Sequence, residues 1–170
     1  MTRAVRFILD RWPLAALIAS AAMLAAAHAF ERFGGLPPCF LCLKQREAYW
    51  WAGSLAIAGG VLTRFVDRKA LRVAVDLVLA VAFLVGAGVA VYHAGAEWKF
   101  WPGPSVCAAG GSASMGGLAA IAAGEAVKAP SCEDALWVFA GLSMAGWNAL
   151  ISLGLAALSL AAARHEASKP

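Results

Sequence analysis

The sequence predicts an all-α, polytopic membrane protein: a bundle of four transmembrane helices with two outward loops that carry the cysteines. Three observations lead there. The 170 residues are 62% hydrophobic and only 14% charged, with a mean hydropathy of +0.72, whereas soluble domains run roughly 45–50% apolar and about 25% charged. The apolar residues gather into four stretches close to the ~20 residues that cross ~30 Å of hydrocarbon at ~1.5 Å per residue. Most of the Lys and Arg residues lie on one side of those stretches. Disorder is excluded because disordered chains are poor in hydrophobic residues. No Gly-X-Y, heptad or longer repeat is present, and nothing reads as a soluble domain, so residues 1–170 form one membrane domain.

The first span runs from Trp12 to Phe30 and is interrupted only by His28. The second, about residues 43–63, is uncharged only from Ala48 to Thr63. It reaches spanning length by including Lys44, Arg46 and Glu47, which places those charges at one membrane surface. The third covers about residues 73–92, with Asp76 near its start, and the fourth about 135–163. Asn148 is the one strongly polar residue inside the fourth, where an interhelical hydrogen bond is expected. The outward loops are then about 31–42 and 94–134.

Orientation follows from the excess of Lys and Arg on cytoplasmic flanks and short cytoplasmic loops. Arg3, Arg6 and Arg11 precede the first span, Arg64, Arg68, Lys69 and Arg72 join the second to the third, and Arg164 and Lys169 follow the fourth. Nine of the fourteen basic residues therefore share a side, against Arg32, Lys44, Arg46, Lys99 and Lys128 on the other. Both termini are expected in the cytoplasm. A net charge of +4 alongside seven Trp points to membrane lipid as partner rather than nucleic acid. A secretory signal peptide ending at Ala27-His28-Ala29 is the rival reading of the first segment, and its cleavage would leave three helices with the same loops outside.

The long outer loop has parts. Glu97 to Pro104, with Trp98, Phe100 and Trp101, reads as an aromatic interfacial anchor closed by a Pro-Gly-Pro turn. Ala108 to Gly117 reads as a Gly/Ala/Ser tether, and Leu118 to Val127 as a short helix lying on the membrane.

All four cysteines, Cys39, Cys42, Cys107 and Cys132, fall in the outward loops, which suits an oxidising compartment. The natural pairing is Cys39 with Cys42, a CxxC, leaving Cys107 with Cys132. Haem attachment would need His where Leu43 stands, and a four-Cys zinc site would need a second close pair. Pro37-Pro38 ends the loop so that Cys39 opens a helix, where the helix dipole favours a thiolate. Arg46 lies four residues beyond Cys42 on the same face and puts a cation beside that sulfur. Thiol exchange only moves a disulfide between proteins, so net oxidation needs a terminal acceptor. Gly86-Ala87-Gly88 lacks the third glycine and the preceding strand of a dinucleotide site. With no nucleotide or metal site and a dithiol at the membrane surface, position favours a lipid-soluble quinone. Two other classes compete: a non-enzymatic protein whose disulfides brace its loops, and a membrane cytochrome with His28 and His93 as haem ligands.

Pro38-Cys39-Phe40-Leu41-Cys42-Leu43-Lys44-Gln45-Arg46 resembles the P-C-x-L-C-x-x-[QE]-R signature of the DsbB family, bacterial inner-membrane disulfide-forming quinone reductases. The four helices, the later Cys pair and both loops extend the resemblance over about residues 10–163. It implies a quinone cofactor, ubiquinone or menaquinone, and a periplasmic DsbA-like thioredoxin-fold partner. By the same resemblance, the reduced partner attacks the Cys107–Cys132 disulfide and bonds to Cys107. Cys132 then attacks Cys39 and frees Cys42 as a thiolate next to the quinone, whose oxygen Arg46 polarises. His93 matches the family's His at the outer end of the third span. His28 has no counterpart among the family's functional residues.

Overall fold

The computed structural model describes residues 2–108 and 130–169. The tether at its Gly/Ala-rich part and the expected 118–127 helix lie outside the described residues. Helix α1, Arg3–Asp10, is opened by Thr2, whose hydroxyl accepts the Val5 amide. Arg11 breaks the helical path with φ −122°, and α2, Trp12–Arg32, starts with Pro13 in its first turn, a position where the missing N–H costs nothing. Helix α3 is Phe40–Phe65 and α4 is Lys69–Glu97. A single turn, α5, covers Ser105–Ala108. Two short strands, β1 (Val138–Phe139) and β2 (Leu142–Ser143), pair antiparallel, and α6 runs Met144–Ser168.

Three helices, α2, α4 and α6, are long and apolar enough to cross a membrane. Helix α3 has the length, at 26 residues, but Lys44, Arg46 and Glu47 in its first turns and Arg64 at its end lower its apolar character. The helix extends beyond the expected span of 43–63 to begin at Phe40, with Cys39 opening it as expected: the Cys39 sulfur accepts the Cys42 amide and so caps the helix. The last helix starts at Met144 instead of 135. Trp137, Val138 and Phe139 are strand-favouring residues, and Ala140 and Gly141 turn the chain with φ of 50° and 79°. Ser143 then caps α6 by accepting the Gly146 amide at 3.1 Å. An apolar run expected as one helix is therefore a hairpin followed by a helix.

Helix α4 packs between α3 and α6, and α2 packs on the far side of α3. The buried layer is dominated by small side chains, among them Ala16, Ala52, Ala56, Ala80, Ala87 and Ala156, which bring helix backbones close where lipid supplies no hydrophobic drive. Trp12, Leu79, Phe83 and Tyr49 fill the remaining core, and Trp12 Nε1 donates to Ser159 Oγ at 2.9 Å. Large apolar residues such as Ile18, Trp51, Val81 and Leu153 point outward, as a lipid-facing surface requires. At the end bearing the termini, Asp10 takes hydrogen bonds from Lys169 Nζ at 2.8 Å and His165 Nε2 at 2.9 Å, tying α1 to the end of α6. These partners, Lys169 first, hold the Asp10 carboxyl below its usual range. At the other end, Trp101 folds back on α4, donating from Nε1 to Tyr92 O at 2.8 Å and stacking on the Tyr92 ring.

Candidate functional site

The site is built around the first turn of α3. Cys39 is 3% exposed and Cys42 half-buried, both are free thiols, and their sulfurs stand 2.7 Å apart. The Cys42 amide donates to Cys39 Sγ at 3.2 Å. Beside them, His93 on α4 is buried, its Nε2 3.5 Å from Cys39 Sγ. The Cys39 thiol is pushed down to about 5, first by the hydrogen bond from Cys42 and then by His93, against the opposing effect of burial. Cys39 is thus the thiolate of the pair at neutral pH, in keeping with a helix N-terminus.

The second pair is joined as the Cys107–Cys132 disulfide. It packs directly onto the first: Cys39, Leu41 and the fully buried Cys132 form one core, with Phe40, Cys42 and Cys107 against it. All four sulfur-bearing residues therefore belong to one packed cluster. Cys107 is the more exposed partner of its disulfide. The segment around Cys132 is held to the end of α4, where Glu133 accepts the Gly103 amide at 2.8 Å and Lys99 Nζ donates to the Glu133 carbonyl.

Behind the dithiol lies a cavity of about 240 Å³, largely apolar, whose lining includes Cys39, Cys42, Arg46, His93, Phe30 and Trp137. The four residues expected from sequence around the CxxC, Cys39, Cys42, Arg46 and His93, are thus brought to one cavity. His28 is not; it stands exposed on α2 with Nδ1 3.7 Å from Glu31. The Arg46 guanidinium is 14% exposed, and donates to Glu31 Oε2 at 2.5 Å and to the Ala27 carbonyl at 3.1 Å. Glu31 gives no signal in the sequence because it reaches Arg46 only through the packing of α2 on α3.

Sequence reading also missed a buried polar ladder. The Tyr49 hydroxyl, 2.9 Å from Ser152 Oγ, donates to Asn148 Oδ1 at 2.6 Å. Asn148 Nδ2 donates to Gln45 Oε1, and Gln45 Nε2 to His93 Nδ1 at 2.7 Å. The interhelical bond expected of Asn148 is one rung of it. Because an amide NH₂ can only donate, Nδ1 is the acceptor and the ring hydrogen lies on Nε2, facing Cys39. Glu97, one turn beyond His93, completes the missed set: it lines the cavity, and its Oε1 is 3.7 Å from His93 Nε2. Its i,i+4 spacing from His93 was the available signal.

A bundle of membrane-suited helices that presents a free dithiol against a formed disulfide defines a membrane disulfide-forming oxidoreductase. Comparison with known proteins gives the particular family. The model of the family described as Disulfide bond formation protein DsbB matches residues 10–162, and the chain belongs to that family. Disulfide bond formation protein B of Methylococcus capsulatus is 34% identical over 148 residues, which is 82% of this chain and 85% of that protein. The protein of the same name from Nitrosospira multiformis is 31% identical over 162 residues, 93% of this chain and 90% of its own. That from Azoarcus sp. is 30% identical over 149 residues, 85% and 86% of the two chains. No solved structure matches the chain.

Proposed function

We propose that this protein reoxidises a periplasmic DsbA-like dithiol and passes the electrons through its two Cys pairs to a membrane quinone. The observation that carries the reading is the packing of Cys132 on Cys39, which makes one connected set of the four cysteines. Cys107, the more accessible sulfur, is where the partner's thiolate attacks. That attack breaks Cys107–Cys132, and the released Cys132 attacks Cys39 of an oxidised Cys39–Cys42 pair. Resolution by the partner's second thiol leaves Cys107–Cys132 free to re-form, with the two electrons now on Cys39 and Cys42. The 2.7 Å sulfur separation and the thiolate character of Cys39 suit closure of that pair with transfer of two electrons onward.

A quinone fits the cavity by its chemistry: apolar walls for a ring, a sulfur on one side, and a part-buried Arg46 able to donate to a carbonyl oxygen. When bound, a quinone supplies a sink for two electrons and two protons. Arg46 would orient it, held in place by Glu31, while the ladder from Tyr49 to His93 fixes the imidazole against Cys39. In this reading all four long helices, α2, α3, α4 and α6, span the bacterial inner membrane, with the Cys-bearing loops in the periplasm. The charged first turns of α3 then lie at the outer surface.

The test is quinone reduction by the purified chain with a reduced DsbA-like protein as donor. The expected result is quinol formation that stops in Cys107→Ser and stalls in Cys132→Ser with a partner adduct on Cys107. Partner oxidation without quinol, or no adduct in Cys132→Ser, would overturn the relay.

A further inference from the structure

Closure of a Cys39 thiolate with the Cys42 thiol, whose sulfurs stand 2.7 Å apart, releases the Cys42 proton as well as two electrons. The polar groups facing the cavity differ in whether they can take that proton. Arg46 is a permanent cation engaged with Glu31. His93 has Nδ1 occupied as acceptor for Gln45 and Nε2 carrying its hydrogen. Asn148 and Tyr49 are committed to each other and to Gln45 and Ser152. Asp134 also lines the cavity, but it is exposed and lies 3.4 Å from Lys99 Nζ. Glu97 is different: its side chain is only 6% exposed, and its Oε2 is buried with no hydrogen-bond partner among the described residues. A buried carboxylate oxygen left unpaired is costly.

We infer that Glu97 is the proton acceptor and carrier of the dithiol site. The inference rests on the proposed transfer of electrons from Cys39 and Cys42 to a quinone. As the sulfur–sulfur bond forms, the Cys42 proton passes to Glu97 Oε2 while two electrons go to the quinone. Glu97 then yields that proton to a reduced quinone oxygen, the second proton comes from water, and Glu97 returns to a carboxylate. His93 Nε2 lies between them, 3.5 Å from Cys39 Sγ and 3.7 Å from Glu97 Oε1.

The test uses the full-length protein in lipid nanodiscs with Glu97→Gln, which keeps shape and hydrogen-bonding capacity but cannot carry a proton, and Glu97→Asp, which can. Pre-reduced Glu97→Gln should transfer electrons to a short-chain quinone about a hundredfold more slowly, the scale of a lost acid–base group. It should also lose the pH dependence of that step, with Glu97→Asp recovering part of both. Exchange of the partner dithiol at Cys107 should be unchanged. The second readout needs no quinone: in a Cys39→Ser background, iodoacetamide labelling of Cys42 should begin at lower pH in Glu97→Gln, because a nearby negative charge that opposes the thiolate is gone. An unmoved labelling profile would overturn the role of Glu97 while leaving the quinone reading intact. A shifted profile in a protein whose parent form reduces no quinone would overturn the quinone reading and keep Glu97 as the proton acceptor. Equal quinone rates and pH profiles for parent and Glu97→Gln would overturn the carrier role.

Discussion

At the scale of single residues, the two cysteines of one CxxC are chemically unequal, and the difference comes from what each sulfur accepts. Cys39 Sγ accepts the Cys42 amide at 3.2 Å and lies 2.7 Å from Cys42 Sγ and 3.5 Å from His93 Nε2, and its thiol is lowered from 9.0 to about 5, chiefly by Cys42. The sign follows: a depressed thiol stabilises the folded reduced form above the unfolded value. That contribution shrinks as pH falls from about 9 and is gone below about 5. Alkylation of Cys39 in the reduced protein is therefore expected to stay nearly flat from pH 8 to about pH 6 and to drop through about pH 5. Cys42→Ala should move the drop toward alkaline pH, since the largest contribution is removed. A profile that climbs steadily to pH 9 in the parent protein would show an ordinary thiol. The CxxC and its helix N-terminus made this site legible in the sequence. Glu31 and the Gln45–Asn148–Tyr49 ladder were not, because those contacts join residues far apart in the chain and obey no local spacing.

At the scale of elements, glycine and alanine decide how the helices meet. A Cβ on Gly95 would lie 1.9 Å from Trp101 Cζ2, whereas one on Gly88 of the same helix meets nothing within 4 Å. Trp101 is a rigid ring pinned by its bond to Tyr92 O, so Gly95→Ala must expel it and detach the start of the loop that leads to Cys107. The expected cost is about 1–3 kcal/mol, as for other overpacked sites, seen as a lower melting temperature in detergent and a red-shifted Trp emission. Gly88→Ala should melt with the parent protein. Hydropathy revealed α2 and α4 closely, because long apolar runs leave few alternatives. The same signal misread residues 135–143, where a hairpin turned by Ala140 and Gly141 is as apolar as the helix that follows. Hydropathy reports burial in lipid or core; it does not separate strand from helix over so short a run.

For the whole molecule, the division of basic residues favours the proposed orientation. Arg3, Arg6, Arg11, Arg64, Arg68, Lys69, Arg72, Arg164 and Lys169 gather at the end where α1 docks on α6 through Asp10, opposite the cysteines. A reporter fused to the carboxy terminus should be active only if it works in the cytoplasm. Activity of an export-dependent reporter there would invert the orientation, and with it the compartment assigned to the dithiol.

The sulfur that caps α3 is also the sulfur that the relay must engage. In the proposed relay, a Cys39–Cys132 bond would replace the thiolate that accepts the Cys42 amide with a neutral, weaker acceptor, and even a lost cap weakens a helix start by only ~1 kcal/mol. The first turn of α3 would then be held less firmly at that step than in the reduced protein. In this reading the residue that opens the helix is also one through which the electrons pass, so the oxidation state of the site and the firmness of the helix start are linked.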